Sequence, residues 1–300
     1  MDFVHVTDLG SDGLASVLQR AAAVKADPSA SAGSRTGLKV GLFFEKPSTR
    51  TRVSCEVACI DVGAAPLVLK QEEVGLGKRE SVEDVARVLD RYLDVLAFRV
   101  FDHSNLTALE ANAEAPVINL LSDLEHPCQA LADLQTLAEN KPLSGQVVAF
   151  VGDGNNVCNS FMLAGAAMGV SVRVTGPAGF DPPADVVARA RALAVDGAEI
   201  VVTDDVESAV RGADAVYTDV WASMGQEEEA AERRRLFMPY QVNENLFGLA
   251  ADDGIFLHCL PAHRGDEVTD GVADHERSRI FDQAENRMHA FKALLLTLTE

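Results

Sequence analysis

Residues 40–52, VGLFFEKPSTRTR, end an apolar run with a proline and then set Ser48, Thr49, Arg50 and Thr51 in a row, with Lys46 and Arg52 beside them. A strand that feeds a helix start in this way aims free backbone N–H groups, hydroxyls and a guanidinium at one point. That is the chemistry of an anion site. A plainer reading stands beside it: Ser48 alone suffices to cap a helix, and the arginines then lie on its solvated surface. The stretch has no glycines and no Gly-Lys pair, so it is not a Walker loop.

Three further stretches carry reactive residue types, each after an apolar run of strand length. HPCQ (126–129) follows VINLL. A histidine before proline is held extended, and His126 could polarise a carbonyl or donate a proton; it could equally be a helix-entry residue. DVWASMGQEEE (219–229) is rich in small residues suited to a moving loop, and its acidic end reads as a solvated face. HCLPAHRGDEV (258–268) invites a metal through His258, Cys259 and His263. No second Cys/His cluster completes four ligands, and strand alternation points His258 and Cys259 to opposite faces, so no metal is expected. Cys259 as a covalent nucleophile lacks a basic partner at any suggestive spacing.

A fifth stretch, VGDGNN (151–156), imitates a dinucleotide fingerprint. Its third glycine is missing, and no acidic ribose ligand stands out among Asp181, Asp185 and Asp196. A strand-to-helix turn that needs glycine explains it better than a dinucleotide does.

These stretches must be positioned by alternating strands and helices. Strands are expected at 40–44, 95–100 and 116–120, with helices at 50–62 and over HPCQALADLQTLAEN. KPLSGQ (141–146) interrupts the pattern, which restarts with strands in QVVAFVG, VSVRVTG, AEIVVT, ADAVYTDV and GIFLHCL, a helix at 156–168 and a final helix near 283–298. The expected fold is α/β, two doubly wound parallel-sheet domains with an interdomain active-site cleft. Residues 1–138 form the first domain, with a C-terminal helix at 284–300 packing back on it, and residues 139–283 form the second.

Composition narrows the partners. The chain has 300 residues, 46 acidic against 26 basic, for a net charge of −20. That excess disfavours nucleic acid, which needs concentrated Lys and Arg. No apolar run approaches the roughly 18 residues of a membrane span, and residues 1–12 lack the basic and apolar regions of a secretion signal. Five scattered cysteines read as reduced thiols of a cytoplasmic enzyme.

In their order along the chain, STRTR, HPCQ, DVWASMGQ, HCLP and AENR resemble the ornithine carbamoyltransferases. The resemblance spans essentially the whole sequence. STRT and HPCQ are shared with transcarbamoylases of other amines, whereas the Asp-x-x-x-Ser-Met-Gly loop (219–225) looks specific for ornithine. The resemblance implies transfer of a carbamoyl group from carbamoyl phosphate to the δ-amine of L-ornithine, giving citrulline and phosphate, without cofactor or metal. It also implies a homotrimer, or a multiple of trimers, with sites at subunit interfaces. By resemblance, Ser48, Thr49, Arg50 and Thr51 cradle the phosphate. Thr51, Arg99 and His126 polarise the carbonyl, and Gln129 meets the carbamoyl amide beside the backbone carbonyls of Cys259 and Leu260. Arg287 lies near the carbonyl and the leaving group. Asn156, Asp219, Ser223 and Met224 grip ornithine, with Cys259 helping to orient its amine. The pattern departs at Gly75, where the family usually carries a glutamine that reaches a neighbouring subunit, and at Leu120, where a smaller residue is common. A transcarbamoylase of another amine and a dinucleotide-dependent oxidoreductase built on VGDGNN are the rival readings.

Overall fold

Five consecutive residues from Val40 to Phe44 are buried, which fits a strand covered on both faces, as in a parallel sheet. The computed structural model describes residues 1–222 and 229–300. It divides into two units, one of Met1–Gln135 with Glu285–Glu300 and one of Thr136–Ala284.

The first unit opens with α1 (Gly10–Ala26) and alternates β1 (Lys39–Phe44), α2 (Thr49–Asp61), β2 (Ala65–Lys70), α3 (Gln71–Val74), α4 (Val82–Leu89), β3 (Val95–Arg99), α5 (Ser104–Glu110) and β4 (Val117–Leu121). The strands pair in the order β2-β1-β3-β4, all parallel. Phe43 and Phe98 stack across β1 and β3 at 4.8 Å between centroids. Helix α6 (Pro127–Asn140) follows, and the division between units falls within it.

The second unit carries β5 (Val147–Val151), α7 (Asn156–Ala167), β6 (Ser171–Thr175), α8 (Ala184–Leu193), β7 (Ile200–Thr203), α9 (Val206–Val210) and β8 (Ala215–Thr218). After the residues outside the description come α10 (Ala230–Phe237), α11 (Glu244–Phe247), β9 (Ile255–His258) and α12 (Asp270–Ala273). Its sheet runs β7-β6-β5-β8-β9, again parallel. Both units are therefore doubly wound α/β sheets with helices on both sides.

The last helix, α13 (Ile280–Leu298), begins before residue 283, because Ile280 already supplies a buried apolar position. Its C-terminal part belongs to the first unit. There Lys292, with only 1% of its side chain exposed, pairs with Asp61 of α2. Arg35 reaches the same helix through the Leu296 carbonyl at 3.0 Å, and Thr299 Oγ1 just beyond it at 2.8 Å.

Strand β2 has no counterpart among the sequence expectations. None of its residues is fully buried and it contains Pro66, both marks of an edge strand. Gly75 caps α3 with φ of 69° and an N–H bond to the Gln71 carbonyl at 2.8 Å. A Cβ there would lie 2.6 Å from Arg79 Cβ, so this turn is built around glycine.

The VGDGNN turn has a steric explanation. A Cβ on Gly154 would lie 2.2 Å from the backbone nitrogen of Pro182. Asn155 Oδ1 accepts from the Val157 and Cys158 amides at 3.0 and 3.1 Å, which occupies N–H groups that a pyrophosphate would need. Gly154→Ala is expected to destabilise the protein by about 2 kcal/mol through overpacking, read as a lower urea midpoint. An unchanged midpoint would remove the steric explanation.

Candidate active site

Open parallel sheets bind ligands at the carboxyl ends of their strands, beside the point where strand order reverses. In the first unit that end carries the loops after β1, β3 and β4. Ser48 is the N-cap of α2, with its Oγ accepting from the Thr51 amide at 3.4 Å. Ser48 Oγ and Thr51 Oγ1 are 3.1 Å apart. Thr49 is exposed, Arg50 half-buried and Thr51 buried, so the cradle residues grade from solvent inward along the helix start.

Arg287, on α13, is 5% exposed and binds three of the expected residues. Its Nη1 donates to Gln129 Oε1 at 2.5 Å and lies 3.5 Å from His126 Nε2, and its Nη2 donates to Thr51 Oγ1 at 3.4 Å. Its Nε is buried with no hydrogen-bond partner among the described residues. Gln129 passes the contact on, donating to Asp133 Oδ1 at 2.7 Å. Arg99 closes β3 at an irregularity in its register with β4 and is 8% exposed. Burial first, then the Arg287 and Arg99 charges, hold the His126 imidazole well below its ordinary 6.5. Burial likewise pushes the Cys128 thiol up to about 12, so this neighbour in HPCQ stays protonated and inert.

The second unit gathers its own residues at the ends of β5, β8 and β9. Asp219, 6% exposed, accepts from Cys259 Sγ at 2.9 Å and from Asn155 Nδ2 at 2.8 Å. Cys259 therefore has an acidic acceptor that spacing did not suggest, which makes its thiol a donor. His258, fully buried, accepts the Leu260 N–H on Nδ1 at 2.8 Å and faces Glu267 Oε1 across 3.2 Å with Nε2. An acceptor Nδ1 fixes a neutral ring with its hydrogen on Nε2.

The ligand atoms of Asp219, His258 and Cys259 lie within 4.8 Å of one another, which corrects the expectation that His258 and Cys259 point apart. Alternation stops because β9 ends at His258 and Leu260 turns the backbone at φ 60°. Within the grouping a hydrogen bond joins Cys259 to Asp219.

Asn156 opens α7, with Oδ1 3.0 Å from the Val157 amide; its neighbour Asn155 makes the contact to Asp219. Ser223 and Met224 lie outside the described residues. Four residues of these networks were absent from the sequence reading: Asp133, Asn155, Glu267 and Arg233. Arg233, 7% exposed, donates to Asp153 Oδ2 at 2.8 Å, the Trp221 carbonyl at 3.1 Å and Glu229 Oε2 at 3.1 Å, and lies over the Phe180 ring. Asn155 had a usable signal, since an Asn just before an apolar helix is a cap.

The sign of the His126 shift gives a prediction. Below pH 6.5 an unfolded chain protonates this ring while the folded one does not, so stability present above 6.5 is lost as pH falls. The His126 ring resonance is expected not to titrate between pH 7.5 and 5.5. His126→Asn should flatten part of the acid-side decline in stability. An NMR midpoint near 6.5 would contradict the electrostatics described here.

Two family models cover the chain. Residues 1–139 match the aspartate/ornithine carbamoyltransferase carbamoyl-P binding domain, and residues 144–298 match the Asp/Orn binding domain of the same family. An ornithine carbamoyltransferase of Acidothermus cellulolyticus is 51% identical, over 99% of this chain and 96% of that protein. One of Parasynechococcus marenigrum is 50% identical, over 99% and 93%. The solved ornithine carbamoyltransferase of Pyrococcus furiosus superposes with a TM-score of 0.95 at 45% identity, covering 98% of this chain and 95% of that one. The chain belongs to the aspartate/ornithine carbamoyltransferase family.

Proposed function

We propose that the protein transfers the carbamoyl group of carbamoyl phosphate to the δ-amine of L-ornithine, releasing citrulline and phosphate. The observation that carries this reading is Arg287: a guanidinium 5% exposed whose hydrogen-bond partners are the neutral Gln129, Thr51 and His126. A buried cation without a carboxylate against it is costly, and an anionic substrate supplies the missing charge.

In this reading the first unit is the carbamoyl-phosphate domain. The phosphate takes the α2 N-terminus with Ser48, Thr49, Arg50 and Thr51. Arg99 and Arg287 face the carbonyl and the bridging oxygen, and Gln129 takes the carbamoyl amide. A neutral His126 offers one N–H to the carbonyl oxygen, stabilising the oxyanion that develops there without surrendering a proton to bulk solvent first. The amine nitrogen attacks the carbonyl carbon, the carbon–oxygen bond to phosphate breaks, and the amine proton leaves with phosphate or water. The second unit is the ornithine domain. Asp219, held by Asn155 and Cys259, anchors and orients the amino acid, with Asn156, Ser223 and Met224 completing the grip. The thiol of Cys259 acts as a hydrogen-bond donor in this scheme and forms no covalent intermediate.

We also read the protein as a cytoplasmic homotrimer. Val53, Val57 and Ile60, at 50, 36 and 64% exposure, recur on one face of α2, which supports self-association. Among the described residues no helix is long and apolar enough to cross a membrane.

Three outcomes are expected. Citrulline forms from carbamoyl phosphate and ornithine, faster as pH rises from 7 to 9, because the substrate ammonium resembles lysine with a pKa of about 10.4; aspartate and putrescine are poor acceptors. A folded enzyme that makes no citrulline at any pH would end this proposal. Arg50→Ala lowers kcat/KM about 100-fold or more, as does loss of a preorganised donor elsewhere. Near-normal turnover in that variant would mean that the phosphate cradle lies elsewhere.

A further inference from the structure

The loop that leads from β4 to His126 is secured by polar side chains that the transfer chemistry does not use. Glu125, 1% exposed, accepts the Val6 amide on Oε2 at 2.9 Å and meets His5 Nδ1 on Oε1 at 2.8 Å. Ser122 Oγ, fully buried, lies 2.8 Å from His103 Nδ1. The two imidazoles then present their other nitrogens to each other, Nε2 to Nε2, at 3.4 Å. Their centroids are 4.6 Å apart and their planes tilted by 39°. The centroids are only slightly farther apart than the nitrogens, so the rings lie side by side and not end to end. At 3.4 Å a hydrogen bond between the two nitrogens is long for its kind.

We propose that His5 and His103 form a binding site for a divalent transition-metal ion, Zn²⁺ in the first instance, held by the two Nε2 atoms with water completing the coordination. Two imidazole nitrogens bound to one tetrahedral zinc, each at 2.0–2.1 Å, stand about 3.4 Å apart. The observed separation is 3.4 Å. Metal-binding histidines characteristically give their second ring nitrogen to a carboxylate or another fixed acceptor, which sets the tautomer and aims the ring. Here both outer partners are in place, Glu125 on His5 and Ser122 on His103. In the tautomer that places both Nδ1 hydrogens on these partners, the two Nε2 lone pairs converge, and one cation would serve both.

The surroundings suit a cation. Burial first, and then the ring of His5, push the His103 imidazole down, which keeps it in its neutral, ligating form. Glu125, Asp123 and Asp102 all act on His103 with negative charge, and Glu110 faces His5. Both histidines are partly open to solvent, so an ion has an entry path. The grouping of Asp219, His258 and Cys259 is a separate candidate for the same ions, and the test must distinguish the two.

Zn²⁺ is titrated calorimetrically into metal-free full-length protein at pH 7.5, and Co²⁺ binding is followed by its visible bands. The background variant is Cys259→Ser, which removes the competing thiol. That variant is expected to bind about one Zn²⁺ per chain and to give cobalt bands without a sulfur charge-transfer feature. Adding His103→Ala, or separately His5→Gln, should weaken binding at least tenfold. Glu125→Gln should weaken it about 10- to 100-fold while both ligands remain. Circular dichroism of each variant, and citrulline formation by His5→Gln made in the chain that keeps Cys259, establish that the fold is intact. If Cys259→Ser abolishes Zn²⁺ binding, or if neither histidine substitution alters the affinity, the inference is wrong and the two rings share only a proton.

Discussion

A guanidinium shut away from water against uncharged partners is the constraint around which the first unit is organised. Arg287 meets an amide oxygen, a hydroxyl and an imidazole, and its nearest carboxylate along the hydrogen-bond chain is Asp133, one amide further away. The positive potential is left in place, and it has a second effect. With burial and Arg99 it keeps His126 uncharged, so the imidazole acts as a dipole and does not add another cation. A chain with a net charge of −20 thus keeps a small pocket of opposite sign by spending burial on it.

The second unit solves a different problem. Its central group is a buried acid, Asp219, and the task is to hold that acid still. Asn155 and Cys259 each donate to one of its oxygens. His258 in turn fixes the backbone at Leu260, and Glu267 fixes His258. Geometry is set here by neutral donors ranked behind one carboxylate, where the first unit sets it with charge.

The sequence was most readable where chemistry required unusual neighbours. Hydroxyls crowded against arginine at Ser48–Thr51 and histidine before proline at His126 stand out because plain helix starts need only one polar cap. It was least readable where a single ordinary residue does the work. Asp133 looks like any acid on a helix, and Glu267 like any charge in a loop, until the fold brings each against a partner distant in sequence. Strand β2 escaped because an edge strand tolerates the proline, Pro66, that argues against a central one. His258 and Cys259 do not point apart for a local reason: β9 ends at His258, and period-two alternation ends with it. VGDGNN misled in the opposite direction, since tight packing against Pro182 demands the same glycine that a pyrophosphate would.

The membership of the first unit has a consequence for biogenesis. Its residues are discontinuous: Asp61 and Arg35 find their partners on Lys292, Leu296 and Thr299, at the far end of the chain. A ribosome releases those partners only after the whole of residues 136–284. The later-made half, contiguous from Thr136 to Ala284, can complete its packing while the first-made half still waits for its closing helix. Maturation therefore runs against the direction of translation, and loss of residues 292–299 would injure the half that was synthesised first.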